Sequence, residues 1–76
     1  MKEEILEVLR ESNEEIVEDM DRDLLASGIL DSFDIVRLVV DFEEAFSRQI
    51  DVDLVIPDNF RTANSIVKLM ESILEA

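Results

Sequence analysis

The chain has no cysteine and no histidine, and it has a single glycine, Gly28, and a single proline, Pro57. The first two absences exclude disulfides, thiolate and imidazole catalysis, and the usual zinc ligand sets. With so few turn formers in 76 residues, helices are expected to dominate. No segment sustains the alternation of apolar and polar residues that marks a half-buried strand. The start, Met1-Lys2-Glu3-Glu4, has no apolar stretch of signal-peptide length behind it, and no run approaches a membrane span. A cytoplasmic protein without stable membrane insertion is expected. Basic residues are also scarce: 7 against 20 acidic ones, a formal charge of −13. Such a chain is repelled by nucleic-acid phosphates and anionic lipid, and is drawn to proteins with basic docking surfaces. Taken alone, the acidity implies no more than solubility.

What remains is an apolar pattern of helical period. A chain this short buries only roughly 60–65% of its unfolded surface, and we expect one domain over residues 1–76. The first helix is predicted over residues 2–12, with Ile5, Leu6, Val8, Leu9 and Ser12 on one face. Ser12 and Glu15 fit a capping box for a short turn through Ile16 and Val17, but the polar run Glu18–Asp23 favours a long loop. Ile16, Val17, Leu24, Leu25, Ile29 and Leu30 are expected to pin that loop to the core. A loop of this length is uncommon in a small domain unless it has a role.

A second main helix is predicted from Ser32 to Phe46 or Ser47, with Asp31 as N-cap and Asp34 placing charge in the first turn. At 100° per residue it shows three surfaces. Ile35, Leu38, Val39, Phe42, Ala45 and Phe46 form a core face, and Asp34, Arg37, Asp41, Glu44 and Arg48 form a solvent face. Phe33, Val36 and Val40 lie between them, an apolar group beyond what the core needs. From Arg48 to Arg61 the pattern is irregular, with Ile50, Val52, Leu54, Val55, Ile56 and Phe60 as anchors. Pro57 suits the first position of a short helix ending near Phe60 or Arg61. The last helix begins near Thr62 or Ala63 and runs to about Glu75, burying Ala63, Ile66, Val67, Met70, Ile73 and Leu74.

The residues offer few sites of chemistry. Asp19-Met20-Asp21-Arg22-Asp23 opens like a calcium loop, but Leu24 stands where that loop needs glycine and Leu30 where it needs glutamate. Asp51 and Asp53 are too sparse for a cage, so no metal site is expected. Ser32 is different. It begins the longest apolar-periodic segment, behind the loop that holds the only glycine, and Asp31 already supplies the cap. Its hydroxyl is expected to be exposed beside a helix start, where unpartnered N–H groups favour an anion.

The run Gly28-Ile29-Leu30-Asp31-Ser32 resembles the attachment segment of acyl and peptidyl carrier proteins. The resemblance extends over nearly the whole chain: Glu43-Glu44-Ala45-Phe46 near the end of the main helix, then Ile56-Pro57-Asp58 and Thr62 before the last. It implies an all-α, four-helix carrier bundle with a long first loop, three main helices and a short third one. It also implies that Ser32 receives 4′-phosphopantetheine covalently from coenzyme A. The thiol of that group, which this cysteine-free chain lacks, would hold an acyl or aminoacyl cargo as a thioester. The implied partners are a phosphopantetheinyl transferase, a loading enzyme (an adenylating ligase or an acyltransferase) and a downstream acyl-acceptor enzyme. The carrier itself is expected to be a monomer without catalytic residues.

Two departures from fatty-acid carriers stand out. Phe33 follows the serine where Leu or Met is usual, and Arg37 interrupts a surface that is often wholly acidic. Phe60-Arg61-Thr62-Ala63-Asn64 is more similar to the corresponding region of D-alanyl carrier proteins, which favours an amino-acid cargo over a fatty-acyl or polyketide chain. Given this resemblance, Asp31, Phe33, Asp34, Val36, Val40, Asp41 and Glu44 are expected to form a partner-docking face, apolar residues supplying contact and carboxylates steering. The competing reading is an acidic helical adaptor with no prosthetic group, in which Ser32 is an unmodified cap or a phosphorylation site.

Overall fold

The computed structural model describes residues 1–75 and contains only helices, turns and loops. Four α-helices occur in the order α1 (Lys2–Ser12), α2 (Glu15–Glu18), α3 (Ser32–Phe46) and α4 (Ala63–Glu75). Short 3-10 turns at Val52–Leu54 and Pro57–Phe60 interrupt the connection between α3 and α4. This is the all-helical, acyl-carrier-like architecture that the sequence implies.

Helix α1 is the hub, packing against α2, α3 and α4. Its Ile5 and Leu9 are fully buried, and they meet Leu38 and Phe42 of α3 and Ile66 and Met70 of α4 in one continuous core. Phe42 also stacks on Phe46, with ring centroids 6.3 Å apart. In α4 the core face includes Leu69, 8% exposed, which the predicted stripe omitted. The 3-10 turn at Pro57–Phe60 packs on α4 and inserts Phe60, 1% exposed, into the same core.

Several expectations are corrected. Residues Glu15–Glu18 form a helical turn where the sequence pattern favours a loop. Burial of Ile16 holds it in place, a tertiary effect that outweighs the polar neighbours. The proposed Ser12–Glu15 box does not form; Asn13 Oδ1 instead accepts the Glu15 N–H at 3.0 Å, and Ser12 ends α1 exposed. The short helix after Pro57 is a 3-10 turn, with Pro57 in its first turn as expected. Val52 and Ile56, read as core anchors, are 78% and 45% exposed. Ala45, read as core, is exposed and lines an open groove between α3 and the end of α1. Val39 and Phe46 are half-buried and pack at the margin of the core.

The ends of α3 and α4 are closed by polar contacts. Ser47 takes a left-handed conformation (φ 52°), a position usually given to glycine, and its N–H donates to the Glu43 carbonyl. Glu43 then accepts the Ile50 N–H at 2.8 Å, turning the chain back along α3. The Arg48 guanidinium donates to the Ile73 and Leu74 carbonyls at the end of α4, at 2.8 and 3.4 Å.

The burial pattern separates the two kinds of apolar residue in the α3–α4 connection. Phe60→Ala should lower unfolding free energy by about 3–5 kcal/mol in urea melts. Val52→Ser should change it by no more than about 0.5 kcal/mol.

Candidate functional site

The site is built around the loop that delivers Ser32. Leu24 and Leu30 are both buried, and the Leu30 N–H donates to the Leu24 carbonyl at 3.0 Å, so the intervening residues bulge outward as a closed loop. Within the bulge, Asp23 Oδ1 accepts the Leu25 and Ala26 N–H groups at 3.1 and 2.8 Å, and Gly28 turns the chain at φ +80°. Such a φ disfavours any side chain, although the space beside Gly28 is open.

A second set of contacts ties this loop to the start of α4. The Leu24 N–H donates to the Arg61 carbonyl at 2.7 Å, and the Asn64 N–H to the Met20 carbonyl at 3.1 Å. The Asn64 side-chain amide reaches Asp21 at 2.6 Å. The Arg61 guanidinium bridges Asp58 at 2.8 Å and Asp23 at 3.5 Å. The Ala26 amide hydrogen bond chiefly holds the Asp23 carboxyl below its ordinary value, with Arg61 adding to it against the opposing effect of burial. Thus the aspartates of the half calcium loop bond to their own backbone and to Arg61 and Asn64. Among the described residues no cluster of potential metal ligands occurs.

Asp31 and Asp34 then start α3 with a reciprocal capping box. Asp31 Oδ1 accepts the Asp34 N–H at 2.9 Å, and Asp34 Oδ2 accepts the Asp31 N–H at 3.0 Å. The Ile35 N–H donates to the Asp31 carbonyl. Of the first-turn donors, the amides of Ser32 and Phe33 are left without an acceptor inside the helix. Ser32 itself is the first residue of α3 and is exposed. Its hydroxyl is therefore neither a cap nor a core group.

The sequence placed a purely electrostatic role on Asp34; the structure gives it a hydrogen bond as well. Phe33, Val36 and Val40 form an exposed stripe along α3, at 83%, 59% and 45% exposure. Val36 also lines, with Ser32, Ile35, Val55, Ile56 and Pro57, an open and mostly apolar groove of about 240 Å³. The exposure of Ile56, missed by the sequence reading, thus serves to wall this groove. No sequence signal points to it, because Ile56 reads as one more apolar anchor of an irregular segment. Asp41 and Glu44 lie farther along α3 and do not join the serine. They line a separate groove of about 390 Å³ with Val8, Glu11, Ser12 and Ala45.

A free hydroxyl at a helix start, two open amides for an attached phosphodiester, and an apolar groove for the arm beyond the phosphate suit a prosthetic group joined through phosphate. Fold and site together define a small helical carrier. Residues 1–70 match the family described as phosphopantetheine attachment site. The chain is 35% identical over 74 residues to D-alanyl carrier proteins of Bacillus mycoides (strain KBAB4), Bacillus cereus (strain B4264) and Bacillus anthracis (strain CDC 684 / NRRL 3495). Each alignment covers 95% of this chain and 94% of the relative. No solved structure matches it. The chain belongs to the phosphopantetheine attachment family: it is an acyl or aminoacyl carrier protein, and the family's covalent group is 4′-phosphopantetheine. Carriers of this kind are generally non-catalytic and work through partner enzymes, transferases and ligases among them. Among the described residues, no helix is long and apolar enough to cross a membrane.

Two measurements probe this geometry. Asp31→Ala removes the cap at Asp34 and should cost about 1–2 kcal/mol in chemical denaturation. The lowered Asp23 pKa makes its contribution to the loop present above the unfolded value of 3.8 and lost as pH falls through the lower folded value. Amide exchange at Leu25 and Ala26 should therefore stay slow, relative to the intrinsic rate, down to pH 3.8 and lose protection below it. Asp23→Asn should remove that step.

Proposed function

We propose that Ser32 is the attachment point of 4′-phosphopantetheine and that the protein is a discrete, single-domain cytoplasmic carrier of an amino acid, with D-alanine the first candidate. The observation that carries this reading is the position of the Ser32 hydroxyl: exposed, released from capping by Asp31, and opening onto the Val36–Ile56 groove. The D-alanyl carriers supply the cargo, since they align with this chain over nearly its full length.

When attached, the group supplies the thiol that holds a cargo as a thioester. The chain's own residues do the rest. The capping box and the buried Leu30 fix where Ser32 stands. The open amides of Ser32 and Phe33 favour the phosphodiester charge, and the Ile35, Val36, Val55, Ile56 and Pro57 walls offer the arm an apolar resting surface. The Phe33, Val36 and Val40 stripe, with Asp31, Asp34, Asp41 and Glu44 around it, serves as the docking face, with apolar contact in the middle and charge at the rim. The chain performs no chemistry on the cargo. It brings a tethered substrate to a transferase, a loading ligase and an acceptor enzyme at high effective concentration.

Incubation of the apo protein with coenzyme A and a phosphopantetheinyl transferase should add one phosphopantetheine to the intact mass. Ser32→Ala should gain nothing while keeping its helical circular dichroism. An unmodified wild-type chain, with the transferase active on another carrier, would favour the adaptor without a prosthetic group. Loading of the holo protein by an ATP-dependent D-alanine-activating ligase, but not by a malonyl transferase, then identifies the cargo class.

A further inference from the structure

We infer that the enzyme surface that docks over α3 to modify Ser32 is of mixed charge: a cationic rim that carries a carboxylate facing Arg37. This rests on the assignment of Ser32 and extends it to the chemistry of the partner.

Each of the other arginines has an evident place in the fold. Arg10 pairs with Glu7 at 2.8 Å, Arg61 bridges Asp58 and Asp23, and Arg48 closes the end of α4. Arg22 is half-buried in the loop. Among the described residues neither Arg22 nor Arg37 takes part in an ion pair or side-chain hydrogen bond, and of these two only Arg37 is exposed. Its neighbours on the helix leave it so. Asp34, three residues before it, is committed to the Asp31 N–H, and Asp41, four residues after it, makes no pair with it.

Position makes this matter. Arg37 lies four residues after Phe33 and three before Val40, on the flank of the exposed apolar stripe. An enzyme that covers Phe33 to reach Ser32 also covers Arg37. A guanidinium stripped of water without an acceptor opposes docking, and a carboxylate opposite it removes that opposition. Asp41 and Glu44, beside it, ask for cations instead, as does the formal charge of −13. A uniformly basic partner satisfies these two and repels Arg37. The pattern along α3, acidic at Asp34, basic at Arg37 and acidic at Asp41 and Glu44, fits a partner that alternates in the opposite sense.

The two kinds of partner predict opposite signs, which makes the test sharp. The probe is a phosphopantetheinyl transferase with coenzyme A, and the readout is the initial rate of mass gain across carrier concentrations. Arg37→Glu should lower kcat/KM by about tenfold, mainly through KM, with Arg37→Ala showing a smaller loss and Arg37→Lys the smallest. Arg10→Glu, on α1 and with the same change in net charge, should match the wild type within about twofold. Circular dichroism of each variant confirms the fold, and Arg37→Ala carries the test if the glutamate variant melts. A rate that is unchanged or faster in Arg37→Glu overturns the inference and leaves the Ser32 assignment intact, since the mass gain still occurs. An equal loss in Arg10→Glu overturns it also, because net charge alone then explains the effect. No mass gain on the wild type overturns the inference together with the assignment on which it rests.

Discussion

Ser32 stands outside the core and yet is held in place, and the burial of Leu30 two residues before it secures both. Leu30 is 3% exposed and bonds through its N–H to the carbonyl of the fully buried Leu24. Those two side chains hold both ends of the bulge in the core, so the irregular loop between them cannot drift. Asp31 comes next and closes the capping box with Asp34, and only then does the helix begin. The serine is thus one residue past a cap and two past a core anchor. Leu25 and Ile29, half-buried against the same core, add to the hold of these two anchors.

The same constraint explains the polar contacts around Arg61. The loop is long, and an unpinned loop of this length costs conformational entropy and leaves backbone groups unpaired. Arg61 and Asn64 meet that need from the start of α4, through carbonyl, amide and side chain together. Exposed ion pairs contribute little individually. The backbone bonds set the register, and the Asp58–Arg61–Asp23 bridge adds to it. That bridge also joins the loop to the segment just after the Val55–Pro57 wall, so the serine and the groove beside it share one support.

For a carrier, this arrangement separates rigid from mobile parts. The bundle keeps Ser32 and the apolar stripe fixed relative to each other, and an attached arm supplies the reach. The exposed stripe Phe33, Val36 and Val40 is a cost in water that a freely soluble helix has no reason to bear. Under the proposed function, docking enzymes recover that cost, while the carboxylates and Arg37 set orientation.

Much of this was legible from residue order. The place of Ser32 at a helix start behind Gly28 and Asp31 marked it out, the resemblance to carrier proteins implied covalent attachment there, and helical periodicity placed α1, α3 and α4 close to their observed bounds. Asp31 as N-cap came from spacing alone, because capping is a local interaction among four consecutive residues. The errors fell where local pattern and tertiary contact diverge. Val52 and Ile56 are apolar in an irregular segment, and no periodicity says which way such residues point. Ala45 falls on the apolar side of α3 by period, but only the packing of α1 against α3 shows that an open groove is left beside it. Residues Glu15–Glu18 are too few and too polar to form a helix on propensity, and packing of Ile16 decides the matter. By itself, then, the sequence determined the main helices, the candidate serine and the strong net negative charge, since each depends on neighbours within a few turns or on a sum over the chain. Only the tertiary structure decided which apolar residues wall the groove, which arginine is left free and how the loop is tied to α4, because those depend on residues tens of positions apart meeting in space.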